Sequence, residues 1–486
     1  MLVVELNKEN YEYDVNSLVK AFYPQEQVKI LIPESREETR AMLREQVNIR
    51  AEFYEDGAEV SIEGVSYKWN FDEGSGESGD TYKDGFKRFF YRTLCQVTGR
   101  SLPWGNLIGI RPVKIAYGLL EQGRSELDIV GHYMTKHYVS EEKARLSVDI
   151  AGRERELLSG IHYREGYSLY VGIPFCPTTC LYCSFTSYPI GGYRRMVDAY
   201  LDCLIKELAY VAKQCETRIL DTVYIGGGTP TTLEPAQLDR LLKSLKQLFD
   251  FSTVKEFTVE AGRADSITEE KLKCMYSHGV TRISVNPQTM KQETLDIIGR
   301  KASVAQVEEA YALARRAGFD NINMDLILGL PGESREDVQR TMDRVTELAP
   351  DSLTVHSLAI KRASRLNSWI QENGVSMLRN TDETMGIAAA GAGRLGMKPY
   401  YLYRQKNMSG NFENVGYARE GKFGLYNILI MEEVQTIAAC GAGSITKRVY
   451  PDGRIERCEN VKEVALYIEK IDEMIDRKRK LLGRDG

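Results

Sequence analysis

The stretch VGIPFCPTTCLYC, residues 171 to 183, sets Cys176, Cys180 and Cys183 in a Cys-X3-Cys-X2-Cys hook directly after a short apolar run that reads as a β-strand. Thiolates this close together suit one face of an iron–sulfur cubane. A four-iron cluster normally takes four cysteine ligands, so a local set of three leaves one iron free for a ligand that is not protein. A structural zinc site is the competing chemistry, because cysteines two or three residues apart also bind zinc when a fourth ligand arrives from elsewhere; His162 and His356 are candidates for that role. Cys95, Cys203, Cys215, Cys274, Cys440 and Cys458 are scattered through apolar or helical stretches and read as small core residues.

A hook of this kind needs a scaffold. From about residue 168, short apolar strands alternate with amphipathic helical stretches, the pattern of repeated βα units around a parallel sheet. Six strands are read: SLYVGI (168 to 173), DTVYIG (221 to 226), EFTVEA (256 to 261), RISVN (282 to 286), NINMDLIL (321 to 328) and SLTVHSL (352 to 358). Six units predict an α/β fold, an open (β/α)6 version of the eight-unit barrel. In such barrels the loops at the carboxyl ends of the strands build the active site, and the hook follows the first strand.

The remainder divides around this repeat. Residues 1–160 predict an α+β module, with strands near LVVEL, VKILIP, IRAEFY and AEVSIEG, then helices over 82–98 and between 115 and 158. GSGESGD, residues 74 to 80, reads as a loop. The barrel is assigned to 161–360 and a mixed C-terminal region to 361–486. Length agrees, since 486 residues exceed what one core usually serves. The chain carries a net charge of −5, so nucleic acid is not expected as the main partner. No apolar run approaches a membrane span, the N-terminus does not read as a leader, and nine cysteines suit a reducing compartment; a cytoplasmic protein is expected.

Polar residues interrupt the strands at their carboxyl ends. Gly226, Gly227 and Gly228, followed by Thr229, close the second strand and allow a close backbone approach to a ligand. Glu260 ends the third, Asn286 and Gln288 follow the fourth, and Asp325 lies in the fifth. Carboxylates suit ribose hydroxyls and an ammonium group, Arg300 suits a carboxylate, and Tyr182 suits an adenine face. Any of these is also compatible with a satisfied core polar group or a helix cap.

The signposts YVGIPFC, CLYC, IGGGTPT, RISVNPQT, IGR and MDLILGLPGE resemble the radical S-adenosylmethionine family that includes oxygen-independent coproporphyrinogen III oxidase and its heme-handling relatives. GNLIGIRPVK, LTVHSLAIKRAS and YYLYRQKN are similar to its HemZ branch. The resemblance implies a [4Fe–4S] cluster on Cys176, Cys180 and Cys183. It also implies S-adenosylmethionine contacts from Gly227, Gly228, Thr229, Glu260, Gln288, Arg300 and Asp325, with Tyr170 and Tyr182 beside them. Two positions depart from the oxidase pattern: Gly172 stands where the oxidase has histidine, and Phe185 where it has a further cysteine.

By the same resemblance, an electron from a flavodoxin- or ferredoxin-type donor cleaves the sulfonium and the resulting 5′-deoxyadenosyl radical attacks a tetrapyrrole. Arg111, Lys361, Arg362, Arg404 and Lys406 are candidate clamps for its carboxylates, with surface solvation or pairing between domains as the alternative. Three activities stay open. One is oxidative decarboxylation of coproporphyrinogen III, the second a heme-transfer chaperone with His356 as a conceivable axial ligand, and the third radical modification of heme.

Overall fold

The computed structural model describes residues 1–24, 26–43, 46–71, 81–109, 111–361, 364–405 and 412–483. The expected loop at 74–80 and two candidate clamps, Arg362 and Lys406, lie outside the described residues. Two compact units emerge. The first comprises Met1–Val148 together with Arg404, Gln405, Phe412 and Glu413, and the second holds Asp149–Tyr403 and Asn414 onward.

In the first unit, strands β1 (Leu2–Leu6), β2 (Val28–Leu31), β3 (Val47–Phe53), β4 (Gly57–Ile62) and β5 (Val65–Asn70) form one sheet in the order β2-β1-β3-β4-β5. The first three are parallel and the last three antiparallel. Val4, Leu6, Ile49, Ala51, Phe53 and Val60 turn one face inward against helices Glu12–Phe22 and Tyr82–Thr98. The second helix begins where the Thr81 hydroxyl accepts from the Asp84 amide, and it stops at Gly99 in the left-handed conformation, φ 64°. The sequence pattern misses β5, a short edge strand whose alternating Val65, Tyr67 and Trp69 stay exposed or only half-buried.

The second unit is built on the expected repeat. Strands β6 (Tyr167–Ile173), β9 (Leu220–Gly227), β10 (Glu256–Gly262), β11 (Arg282–Val285), β12 (Ile322–Leu328) and β13 (Ser352–Ser357) coincide with the six apolar runs and are all parallel. They are buried almost throughout, as strands covered on both faces must be. The covering helices earn their place by patterning. In Pro235–Leu248, Leu238, Leu241, Leu242 and Leu245 form one buried stripe, and a Glu234/Gln237 capping box starts the helix.

Where the barrel was expected to end, the sheet continues. β14 (Lys398–Tyr403) and β15 (Asn414–Ala418) add antiparallel beyond β13, while β16 (Thr436–Cys440) pairs parallel with β6 and is followed by antiparallel β17 (Ile445–Val449) and β18 (Ile455–Glu459). The result is one open sheet of eleven strands, ordered β14-β15-β13-β12-β11-β10-β9-β6-β16-β17-β18. Residues 361–486 are therefore not a separate region, and the division at 160 moves to Val148/Asp149. The physical reason is the pair of raw edges an unclosed barrel presents, which C-terminal strands cover on both sides. No helix among the described residues is long and apolar enough to cross a membrane.

Candidate cofactor site

At the carboxyl ends of these strands, the hook is pinned by backbone bonds before any side chain acts. A two-residue strand, β7 (Phe175–Cys176), pairs with β8 (Tyr188–Pro189), and the Tyr188 amide donates to Pro174 O at 2.8 Å. The glycine run holds the other side: Gly228 N donates to Ile173 O and Thr229 N to Phe175 O, both at 2.7 Å. A Cβ on Gly228 would lie 2.5 Å from Phe175 O, and Gly227 has φ +102°, so both positions require glycine. Gly227 N donates to the Glu260 carboxylate. The glycine amides expected to face a ligand are thus spent on anchoring the hook strand and Glu260.

Around the sulfurs stand donors and cations. The Thr229 hydroxyl reaches Cys176 Sγ at 3.4 Å, and Cys183 Sγ lies 3.8 Å from Ser187 Oγ. Arg263, which sequence reasoning missed, is buried and donates to Cys180 Sγ at 3.6 Å and to the Thr178 carbonyl and hydroxyl at 3.2 and 3.0 Å, while pairing with Asp265 at 2.6 Å. Its signal was an arginine two residues past a strand end, which only the fold brings to the hook. Lys361 feels Cys183, and its ammonium lies 5.5 Å from the ring of Phe185, itself 70% exposed. Burial lowers the Lys361 pKa, and Cys183 acts in the opposite sense.

The expected polar set converges on the same end. Arg300 Nη1 donates to Asn286 O and Nη2 to Tyr182 Oη at 3.3 Å. Burial disfavours its charge, but Tyr182 and Cys180 outweigh this and hold its pKa above the usual arginine value. Asn286 Oδ1 accepts from Asp325 N at 3.1 Å, and Asn323 Nδ2 donates to Asp325 Oδ1 at 2.7 Å. Gln288 sits at φ +68°, locked by Gln288 N to Asp325 O and Ile327 N to Gln288 O, each 2.9 Å. Tyr170 stacks with Tyr224 at 6.2 Å, and Tyr224 donates to Glu260.

Two buried atoms in this set lack a hydrogen-bond partner: Gln288 Oε1 and Arg300 Nε. Buried polar atoms are normally satisfied, so the pair marks a place prepared for a polar ligand. The donor set fits the groups that the hook implies. The three hook sulfurs do not all lie within 4.8 Å of one another, whereas sulfurs around one tetrahedral zinc stand about 3.8 Å apart. Nor does a histidine complete a zinc site. His162 precedes β6, at the opposite strand end, where its Nδ1 faces Asp221 at 3.3 Å; His356 Nδ1 faces the Tyr403 hydroxyl at 3.3 Å.

Burial raises Glu260 from 4.5 to about 7, and Asp325 adds to the shift against the hydrogen bonds from Tyr224 and Gly227. The folded carboxyl therefore keeps its proton where the unfolded chain has lost it. Its contribution to stability is full below about pH 4.5 and is lost as pH rises through about 7. A cationic ligand held against this carboxyl would need the carboxylate, so its affinity is expected to rise with pH up to about 7 and then level. Calorimetric titrations between pH 6 and 8 check this, and Glu260→Gln should flatten the profile.

The clamp candidates separate. Arg404 and Arg111 belong to the first unit. Arg404 is buried there, donating to Leu107 O at 2.5 Å with its guanidinium 5.5 Å from the Trp104 ring, and burial pushes its pKa down to about 10. It is a buried, packed cation, which the alternative of surface solvation did not anticipate. Tyr400 and Tyr401, just before Arg404 in the chain, are core residues.

The Radical SAM superfamily matches residues 170–345, the span that holds the hook, the end of β6 and the whole of β9, β10, β11 and β12. The oxygen-independent coproporphyrinogen-III oxidase-like protein HemZ of Bacillus subtilis is 39% identical over 415 residues, 83% of each chain. The heme chaperone HemW of Lactococcus lactis is 37% identical over 40% of this chain and 49% of its own, and the oxygen-independent coproporphyrinogen III oxidase of Escherichia coli is 32% identical over 47% and 50%. The solved structure of the Escherichia coli oxidase HemN, a radical SAM enzyme, superimposes with a TM-score of 0.51 over 66% of this chain and 73% of its own at 23% identity, which shows the shared fold. With a three-cysteine hook and a prepared polar set at the strand ends of an open parallel barrel, the chain belongs to the HemZ-type coproporphyrinogen-III oxidase-like proteins of the Radical SAM superfamily, whose cofactors are a [4Fe–4S] cluster and S-adenosylmethionine.

Proposed function

We propose that this chain is an oxygen-independent coproporphyrinogen III dehydrogenase, with the cluster on Cys176, Cys180 and Cys183 and S-adenosylmethionine against Tyr170, Tyr182, Gly227, Gly228, Thr229, Glu260, Gln288, Arg300 and Asp325. One observation carries the reading: Gln288 Oε1 and Arg300 Nε are buried without partners beside the cysteine hook. When bound, the cofactors supply one electron to the sulfonium and a 5′-deoxyadenosyl radical in return. The chain's task is to hold and aim. Arg300 pairs with the methionine carboxylate, Glu260 and Asp325 take the ammonium and ribose hydroxyls, and the lumen excludes water. With a tetrapyrrole held beside them, the chemistry these cofactors would supply is removal of a hydrogen atom from a propionate, which would then give up an electron to an acceptor and carbon dioxide to leave a vinyl group.

Replacing Arg300 by leucine removes charge-assisted bonds worth about 1.5–3 kcal/mol, so S-adenosylmethionine affinity is expected to fall roughly 10- to 100-fold. Iron content should stay at the wild-type level, which separates a binding effect from cluster loss. The function itself is tested by mixing reduced protein, S-adenosylmethionine and substrate without oxygen, with a flavodoxin- or ferredoxin-type protein as donor. Coproporphyrinogen III should give equal amounts of 5′-deoxyadenosine and new vinyl groups. A heme-transfer chaperone is the second reading, favoured by Gly172 and the exposed Phe185 at positions where the oxidase carries histidine and cysteine. It predicts heme binding and transfer to an acceptor protein without 5′-deoxyadenosine. Cofactor-dependent loss of the heme spectrum would instead identify a heme-modifying enzyme.

A further inference from the structure

Away from the hook, helix Pro235–Leu248 packs beside helix Glu269–Ser277 on the outside of the barrel. Cys274 and His278 are four residues apart, and the His278 amide donates to Cys274 O at 3.2 Å, which keeps both side chains on one helical face. Asp239 comes from the second turn of the neighbouring helix. His278 Nε2 and Asp239 Oδ1 stand 2.7 Å apart, and one ligand atom from each of Asp239, Cys274 and His278 lies within 4.8 Å of the other two. Among the described residues this is the only trio of histidine, cysteine or carboxylate groups so arranged.

We propose that Asp239, Cys274 and His278 form a zinc site that clips these two helices together, with water as the fourth ligand. Three chemical facts support it. The donor set of one sulfur, one imidazole nitrogen and one carboxylate oxygen is a zinc set, and the thiolate disfavours magnesium or calcium. Charge balances, because one thiolate and one carboxylate neutralise the dication. Access is graded: Asp239 is 57% exposed and His278 19%, with Cys274 half-buried, so the open position faces solvent. On binding, the Cys274 thiol releases its proton to solvent, the imidazole of His278 shifts its proton from Nε2 to Nδ1, and the hydrogen bond from Nε2 to Asp239 gives way to two metal bonds. Ligand atoms around tetrahedral zinc stand about 3.3 Å apart when the bonds are about 2.0 Å, so the 2.7 Å pair opens by a few tenths of an ångström. The exposed Asp239 carboxylate has the room to make that shift.

The test uses the anaerobically reconstituted holoprotein, desalted after exposure to micromolar zinc chloride. The expected result is one zinc per chain in addition to the cluster iron, with X-ray fine structure showing one sulfur at about 2.3 Å and the rest nitrogen or oxygen near 2.0–2.1 Å. Cys274→Ser with His278→Ala, and separately Asp239→Asn, should retain less than a tenth of the wild-type zinc while keeping full iron, which also certifies folding. Equal zinc in wild type and variants, no zinc in either, or a signal with three sulfurs would each overturn the proposal.

Discussion

Anaerobic reconstitution of the Cys183→Ala protein is expected to give iron well below the about four atoms per chain of a complete cluster, with no detectable cleavage of S-adenosylmethionine. The choice among the three cysteines matters. Cys180 is buried against Arg263, and removing it would take a partner from a buried guanidinium as well as delete a ligand. Cys183 is only half-buried and leans on Ser187 at 3.8 Å, so its loss disturbs little packing. Thermal stability without the cluster should therefore stay near wild type, and the readout is ligation alone. Iron at the wild-type level with cleavage retained would remove Cys183 from the ligand set.

The second large effect is on stability. Glu207 and Lys478 are both 0% exposed and meet at 2.6 Å. The carboxylate also accepts from Gly441 N at 2.8 Å, the Tyr467 hydroxyl at 2.6 Å and Asn460 Nδ2 at 2.8 Å. Gly441 ends β16 at φ +103°, where a Cβ would lie 2.4 Å from Gly172 O, so this network braces the strand that leads into the hook. Lys478→Met leaves a buried carboxylate unpaired and is expected to cost about 3–5 kcal/mol, measured by denaturant unfolding of the apoprotein. Adding Glu207→Gln removes the stranded charge, so the double variant should be more stable than the two single effects summed. A loss below about 1 kcal/mol in Lys478→Met would contradict the burial of this pair.

Much of this was legible in the residues, for definite reasons. The six parallel strands are continuous apolar runs between amphipathic helices, and the hook is a local spacing, so neither needs knowledge of the fold. Glu260, Gln288 and Asp325 stood out as polar groups interrupting apolar strands. β16 did not, because TIAAC is followed by a turn and a hairpin instead of a helix, which hides its parallel pairing with β6. Arg263 and the Asp239, Cys274 and His278 trio were invisible for another reason: their partners are distant in sequence, and Cys274 alone reads as a small core residue. The surroundings of Arg404 were not legible, because a sequence does not distinguish a guanidinium packed on tryptophan from one awaiting a carboxylate.

The late arrival of β16 has a consequence for biogenesis. Ser168, in the strand that carries the hook, hydrogen-bonds Gln435, 267 residues further on. During translation the three thiols leave the ribosome long before their flanking strand exists, so the half-built barrel stays open on that side until the final stretch is made. Only when β16 is made does β6 gain its second neighbour, with β17 and β18 following it onto that edge.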